Sequence, residues 1–183
     1  MMLSTTSVST LSKMLSHALR HEPWVYELEL DDEGWVATSQ LLESLRSIDG
    51  WGDLEELDIE RMIASSEKQR HEIRGDQIRA IYGHSVPGKL SRKPATPPEF
   101  LFHGTKPEIV EAIRANGLRP MARQNVHLSS DEPTAIEVAK RKSKAPLLLR
   151  VRSLEASTNG VAFYLGNDKV WLADEVPSRF IEF

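Results

Sequence analysis

Between Val86 and Pro98 the chain reads Val-Pro-Gly-Lys-Leu-Ser-Arg-Lys-Pro-Ala-Thr-Pro-Pro, with four prolines and a glycine. Proline fixes φ and lacks a main-chain N–H, so no helix or central strand runs through such a stretch. The sequence therefore predicts a linker there and a lobe on either side, residues 1–93 and 94–183. A length of 183 residues suits the division, since domains usually run to about 100–200 residues. Charge divides near the same place. Residues 1–100 hold 11 Lys and Arg against 17 Asp and Glu, while residues 101–183 hold 12 against 10.

The whole chain is 40% hydrophobic and 27% charged, with a formal charge of −4. That composition excludes a collagen, a long disordered chain and a wholly basic nucleic-acid-binding surface. Any polyanion must meet a local basic cluster. The absence of cysteine excludes disulfides and thiolate metal sites. The first ten residues, rich in Ser and Thr, lack the basic and apolar regions of a signal peptide. No apolar run approaches the roughly 18–20 residues of a membrane span. A cytoplasmic protein without a membrane partner is expected. With no P-loop, Gly-x-Gly-x-x-Gly, His-Glu-x-x-His or EF-hand pattern, no metal is expected either.

In the first lobe, Leu11, Met14, Leu15, Ala18 and Leu19 recur at helical spacing, and Pro23 stops that helix. Second and third apolar stripes run through Leu41, Leu42, Leu45 and through Leu54, Leu57, Ile59, Met62, Ile63. Two short strands then flank Gly75-Asp76. Helices followed by a hairpin suggest a winged helix. The second lobe alternates short strands with two helices, Lys106 to Asn116 and Pro133 to Lys140, an α+β pattern.

Several polar groups could carry chemistry. Arg20 and His21 sit at the end of the first helix, where an Arg either grips a phosphate through two N–H bonds or complements the helix dipole. Arg70 lies in a polar run that leads into a strand. His103, Gly104 and Thr105 end a strand. His and Thr offer hydrogen bonds to a sugar or amide and Gly lets a ligand approach, though Thr105 equally suits a helix start. His127 and Ser129 share one face of a strand. Lys140, Arg141, Lys142 and Lys144 form a basic run, either solvated or a landing site for phosphates.

The ordered set of motifs resembles the RNA 2′-phosphotransferase family, from about Leu11 to Phe183. It comprises Leu11-Ser12-Lys13, Leu15-Ser16, Leu19 to Pro23, Gly34-Trp35, Lys68 to Arg70 and Ile78 to Ser85, then Pro-Pro-Glu, His-Gly-Thr, Val-His-Leu-Ser and Val-Trp-Leu. The resemblance implies an N-terminal winged-helix lobe for RNA and a C-terminal ADP-ribosyltransferase-like lobe for NAD. It implies catalytic roles for Arg20, His21, Arg70 and Arg141, and NAD contacts at His103, Gly104, Thr105, His127 and Ser129. NAD would be consumed as co-substrate, and the partner would be 2′-phosphorylated, tRNA-like RNA met by a monomer.

The implied reaction has two steps. The RNA 2′-phosphate attacks the nicotinamide-bearing ribose carbon of NAD. The neighbouring 2″-hydroxyl then attacks phosphorus, giving 2′-OH RNA and ADP-ribose 1″,2″-cyclic phosphate. Protein-modifying ADP-ribosyltransferases usually carry a catalytic Glu where this chain has Lys169-Val170-Trp171. Two residues depart from the family pattern: His71 replaces an aromatic after Lys-x-Arg, and Tyr82 replaces a Gln before Gly-His-Ser. Two rivals use the same residues. One is a non-catalytic RNA or ADP-ribose binder, the other an ADP-ribosyltransferase acting on terminal phosphates or on protein.

Overall fold

The computed structural model describes residues 5–81, 93–121, 125–166 and 168–183. Tyr82, the Gly83-His84-Ser85 motif and linker residues 86–92 lie outside them. The chain divides into two compact units between Val86 and Pro87, earlier than the 93/94 boundary that composition suggests. Pro94 forms a β-bridge with Tyr164, the Ala95 N–H donates to the Phe163 carbonyl at 2.8 Å, and the Pro98 carbonyl accepts from Ser153 Oγ at 2.7 Å. This end of the proline-rich segment belongs to the second unit. Each unit mixes helix with antiparallel sheet, as the α+β expectation has it.

In the first unit, helices α1 (Thr5–Arg20), α2 (Thr38–Arg46) and α3 (Glu56–Ser65) pack with strands β1 (Val36–Ala37), β2 (His71–Arg74) and β3 (Gln77–Ala80). The strand order is β1-β3-β2. Leu11, Leu15 and Leu19 of α1 are fully buried in one cluster with Leu41, Leu45, Ile59 and Ile78. Burying one such side chain stabilises by about 1.5–3 kcal/mol, so this stripe decides which face of α1 turns inward. Gly75 closes the β2–β3 turn with φ 62°, and the next residue ties that turn to α2: the Asp76 carbonyl accepts from Thr38 N–H at 2.8 Å. The chain leaves α1 abruptly. The His17 carbonyl accepts from both His21 N–H (3.1 Å) and Glu22 N–H (3.0 Å), and Pro23 then opens a 3₁₀ turn, Pro23–Tyr26. Arg20 and His21 therefore stand at an enforced corner.

In the second unit the order along the chain is β4 (Leu101–Thr105), α4 (Val110–Asn116), β5 (Val126–Ser129), α5 (Glu132–Lys140), β6 (Leu147–Val151), α6 (Ser153–Thr158), β7 (Phe163–Leu165), β8 (Val170–Ala173) and β9 (Ile181–Glu182). The sheet runs β7-β8-β5-β4-β6-β9, antiparallel throughout. Only the later part of the expected Lys106–Asn116 helix is α-helical, because Pro107–Ile109 forms a 3₁₀ turn first. Gly117 ends α4 at φ 74°, and a Cβ there would lie 2.3 Å from the Val176 carbonyl. The middle of the sheet is its thinnest join. β4 pairs with β6 at five positions and β5 with β8 at four, yet β4 meets β5 at one, Phe102 opposite Ser129. That join lies between the two strands carrying His103-Gly104-Thr105 and His127/Ser129.

Candidate functional site

Arg20 is the last residue of α1, and Arg70 immediately precedes β2. The Arg70 carbonyl accepts the Ile81 N–H at 2.9 Å and an Arg20 guanidinium N–H at 3.3 Å, so helix end and hairpin base are joined. His71, the first residue of β2, is 2% exposed, and its Nε2 lies 3.3 Å from Ser16 Oγ on α1. Burial, then the charges of Arg20 and Arg70, push the His71 imidazole down to about 4. Both guanidinium groups therefore act on one ring. His21 is exposed beside Arg20. Two guanidinium groups that act on one buried imidazole form an arrangement suited to seat a phosphate.

The corner that carries Arg20 and His21 has its own brace. His17 Nε2–H donates to the Glu22 carboxylate at 2.7 Å, and its Nδ1 lies 3.0 Å from the Tyr26 hydroxyl. Sequence reading did not single out His17, Glu22 or Tyr26. Their spacing across the Pro23 turn was the available signal.

In the second unit, His103 Nδ1–H donates to the His127 carbonyl at 3.0 Å. This fixes the tautomer and leaves Nε2 as the acceptor nitrogen of the neutral ring. Thr105 is 5% exposed, and its Oγ1 has no hydrogen-bond partner among the described residues. It does not cap the following turn. A buried hydroxyl left unmet costs about 1–3 kcal/mol, so this atom is suited to meet a polar group of a ligand. Ser129 is buried and stands opposite Val170, with His127 on the same face of β5.

Gly104 has a different reason to be glycine than ligand approach. A Cβ there would lie 2.4 Å from Ala139 Cβ and 2.5 Å from the Ala135 carbonyl, space already filled by α5. Asp131 caps the front of α5. Its carboxylate accepts Thr134 N–H at 2.8 Å and Thr134 Oγ–H at 3.0 Å, and the backbone bond above all holds its pKa below the ordinary carboxylate value. Arg141 takes the C-cap position of the same helix, half-buried. There the helix carbonyls present partial negative charge, which suits a cation and disfavours a bound anion.

A sequence model of the RNA 2′-phosphotransferase, Tpt1 / KptA family, matches residues 6–175. The chain belongs to that family. It is 54% identical over 173 residues to a probable RNA 2′-phosphotransferase of Bacillus thuringiensis subsp. konkukian, with 94% of each chain covered. A protein of the same description from Acetivibrio thermocellus is 51% identical over 175 residues, 96% of each chain. One from Rhizobium rhizogenes is 39% identical over 180 residues, 98% of this chain and 96% of that one. The chain is thus that of a transferase family.

Within this RNA 2′-phosphotransferase chain, the first unit brings Arg20, Arg70 and His71 together, with His21 next to Arg20. The second unit sets His103, Thr105, His127 and Ser129 on the two strands at the thin join. No group of three or more potential metal ligands occurs among the described residues, and no helix there is long and apolar enough to cross a membrane.

Proposed function

We propose that this RNA 2′-phosphotransferase removes an internal 2′-phosphate from RNA with NAD as co-substrate. The observation that carries the reading is the Arg20–Arg70 pairing, in which the guanidinium of one residue docks on the main chain of the other. Helices followed by the β2–β3 hairpin support a winged-helix lobe for RNA. The six-stranded second unit supports an ADP-ribosyltransferase-like lobe for NAD.

The second-unit residues fit NAD chemically. The orphaned Thr105 hydroxyl can meet a ribose hydroxyl or an amide, and the bond from His103 Nδ1–H to the His127 carbonyl fixes the orientation of that ring beside it. Arg20 and Arg70 hold the 2′-phosphate of the RNA. One of its oxygens forms the bond to the ribose carbon that bears nicotinamide, and the breaking C–N pair leaves with nicotinamide. This nucleophile is already an anion and needs no base to activate it. The apolar Val170 opposite Ser129 accords with that, because the strand supplies no carboxylate at this position.

In the second step the adjacent 2″-hydroxyl attacks phosphorus, its proton passing to solvent water, and the bond from phosphorus to the RNA 2′-oxygen breaks. His21 delivers a proton to that oxygen. The products are 2′-OH RNA and ADP-ribose 1″,2″-cyclic phosphate. Arg20 and Arg70 offset the charge as it moves between oxygens. The family resemblance adds Arg141 as a third guanidinium. Its C-cap position also suits a structural cation, so the proposal stands first on Arg20 and Arg70.

The test is incubation with a short 2′-phosphorylated RNA and NAD, followed by mass analysis. Release of nicotinamide with loss of the phosphate from RNA supports the reading. An RNA that retains both phosphate and ADP-ribose indicates a capping transferase, and an unchanged RNA with intact NAD indicates a binder.

A further inference from the structure

His71 is polar, buried and unclaimed by the mechanism above. It lies at the start of β2 with Ala80 opposite it on β3, and its Nε2 reaches the uncharged Ser16 of α1. The charges that act on it are Arg20 from α1 and Arg70 from the residue before β2. An imidazole in that position is a poor structural choice, because an apolar ring would fill the same space without any penalty for burying a polar group. Its effect on the two guanidinium groups depends on whether it carries a proton.

We infer that His71 is a positioning residue of the phosphate site: a buried ring beside the Arg20–Arg70 contact, held against Ser16 one turn before Arg20 on α1, that takes up a proton when the anion binds. The inference rests on the reading of Arg20 and Arg70 as the phosphate grip. Without the anion a third positive charge beside two guanidinium groups is repelled, so the ring stays neutral. A dianionic phosphate across the pair reverses the local field and favours the imidazolium, which adds attraction for the phosphate. Binding and protonation are then linked, and each strengthens the other.

The experiment follows the ring and the affinity separately, with NAD omitted so that no turnover occurs. NMR titration of the histidine ring in the full-length protein is run alone and with a short 2′-phosphorylated RNA. His71 should titrate at about 4 without RNA and above about 6 with it. In parallel, the Kd for that RNA is measured from pH 8 to pH 5.5 in the wild type and in His71→Phe. Both share the RNA phosphate's own titration, so their ratio isolates the ring. Affinity of the wild type should gain at least about threefold relative to the variant on acidification. A ring titration that RNA leaves unmoved overturns the inference even if the variant fails to fold, as does a parallel pH course in the two proteins. If the wild type binds the phosphorylated RNA no better than its 2′-hydroxyl counterpart, the reading of the grip itself fails.

Discussion

The Arg20 guanidinium donates to the Arg70 main-chain carbonyl at 3.3 Å, so two residues fifty positions apart share one small basic seat. The contact holds the Arg20 charge against the base of the β2–β3 hairpin. It also means that Arg70 contributes through its main chain as well as its side chain.

Removing either charge should therefore cripple turnover. Arg20→Ala and Arg70→Ala each lose a charge-assisted contact worth about 2–4 kcal/mol of barrier, a fall of roughly 30- to 1000-fold in kcat/KM. Arg70→Lys should recover little, because a point charge replaces a planar fork. Steady-state kinetics with 2′-phosphorylated RNA checks this.

Folding stability should fall in mild acid because of His71. Its ordinary value is 6.5 and its folded value about 4, so between them the unfolded chain binds a proton that the folded chain refuses. The contribution is complete above about pH 6.5, shrinks as pH drops through that window and levels off below about 4. The total is about 3 kcal/mol. Urea unfolding at pH 7 and pH 4.5 should show a larger loss in the wild type than in His71→Phe.

At Gly104, alanine should destabilise the second unit by about 1–3 kcal/mol, since its methyl would meet Ala139 Cβ at 2.4 Å and the Ala135 carbonyl at 2.5 Å. The double variant Gly104→Ala/Ala139→Gly should recover only part of the loss, because the carbonyl contact remains. Thermal unfolding reads both.

Thr105→Val separates a ligand group from a structural one. The buried hydroxyl has no partner among the described residues, so its removal should leave the melting temperature unchanged or higher. The KM for NAD should rise about tenfold, the worth of one lost hydrogen bond to a bound ligand.

Arg141→Ala should behave as the loss of a helix-end cation, lowering stability by about 0.3–1 kcal/mol while costing far less turnover than Arg20→Ala. Paired kinetics and thermal unfolding decide it.

The helices were legible because their apolar stripes are long: Leu11, Leu15 and Leu19 announce α1, and all three are buried. Strand β1 escaped notice because it has two residues and depends on pairing with β3. Six-residue α6 is likewise too short for a periodic signal. Arg20, His21 and Arg70 could be named from motifs, yet their grouping comes from docking a helix end onto a hairpin base. No local pattern encodes that. The burial of His71, the unmet hydroxyl of Thr105 and the crowding at Gly104 are tertiary facts of the same kind. For His71 and Gly104 the partner, Ser16 or α5, lies elsewhere in the chain.

The central claim is that the first unit's basic seat recognises a 2′-phosphate. The most direct measurement is the Kd, without NAD, of one short RNA prepared with a 2′-phosphate and with a 2′-hydroxyl, in the wild type and in Arg70→Ala. The account predicts that the wild type favours the phosphorylated RNA by at least about tenfold and that the variant loses most of that preference. Equal affinity of the wild type for the two RNAs, or an undiminished preference in Arg70→Ala, would contradict it.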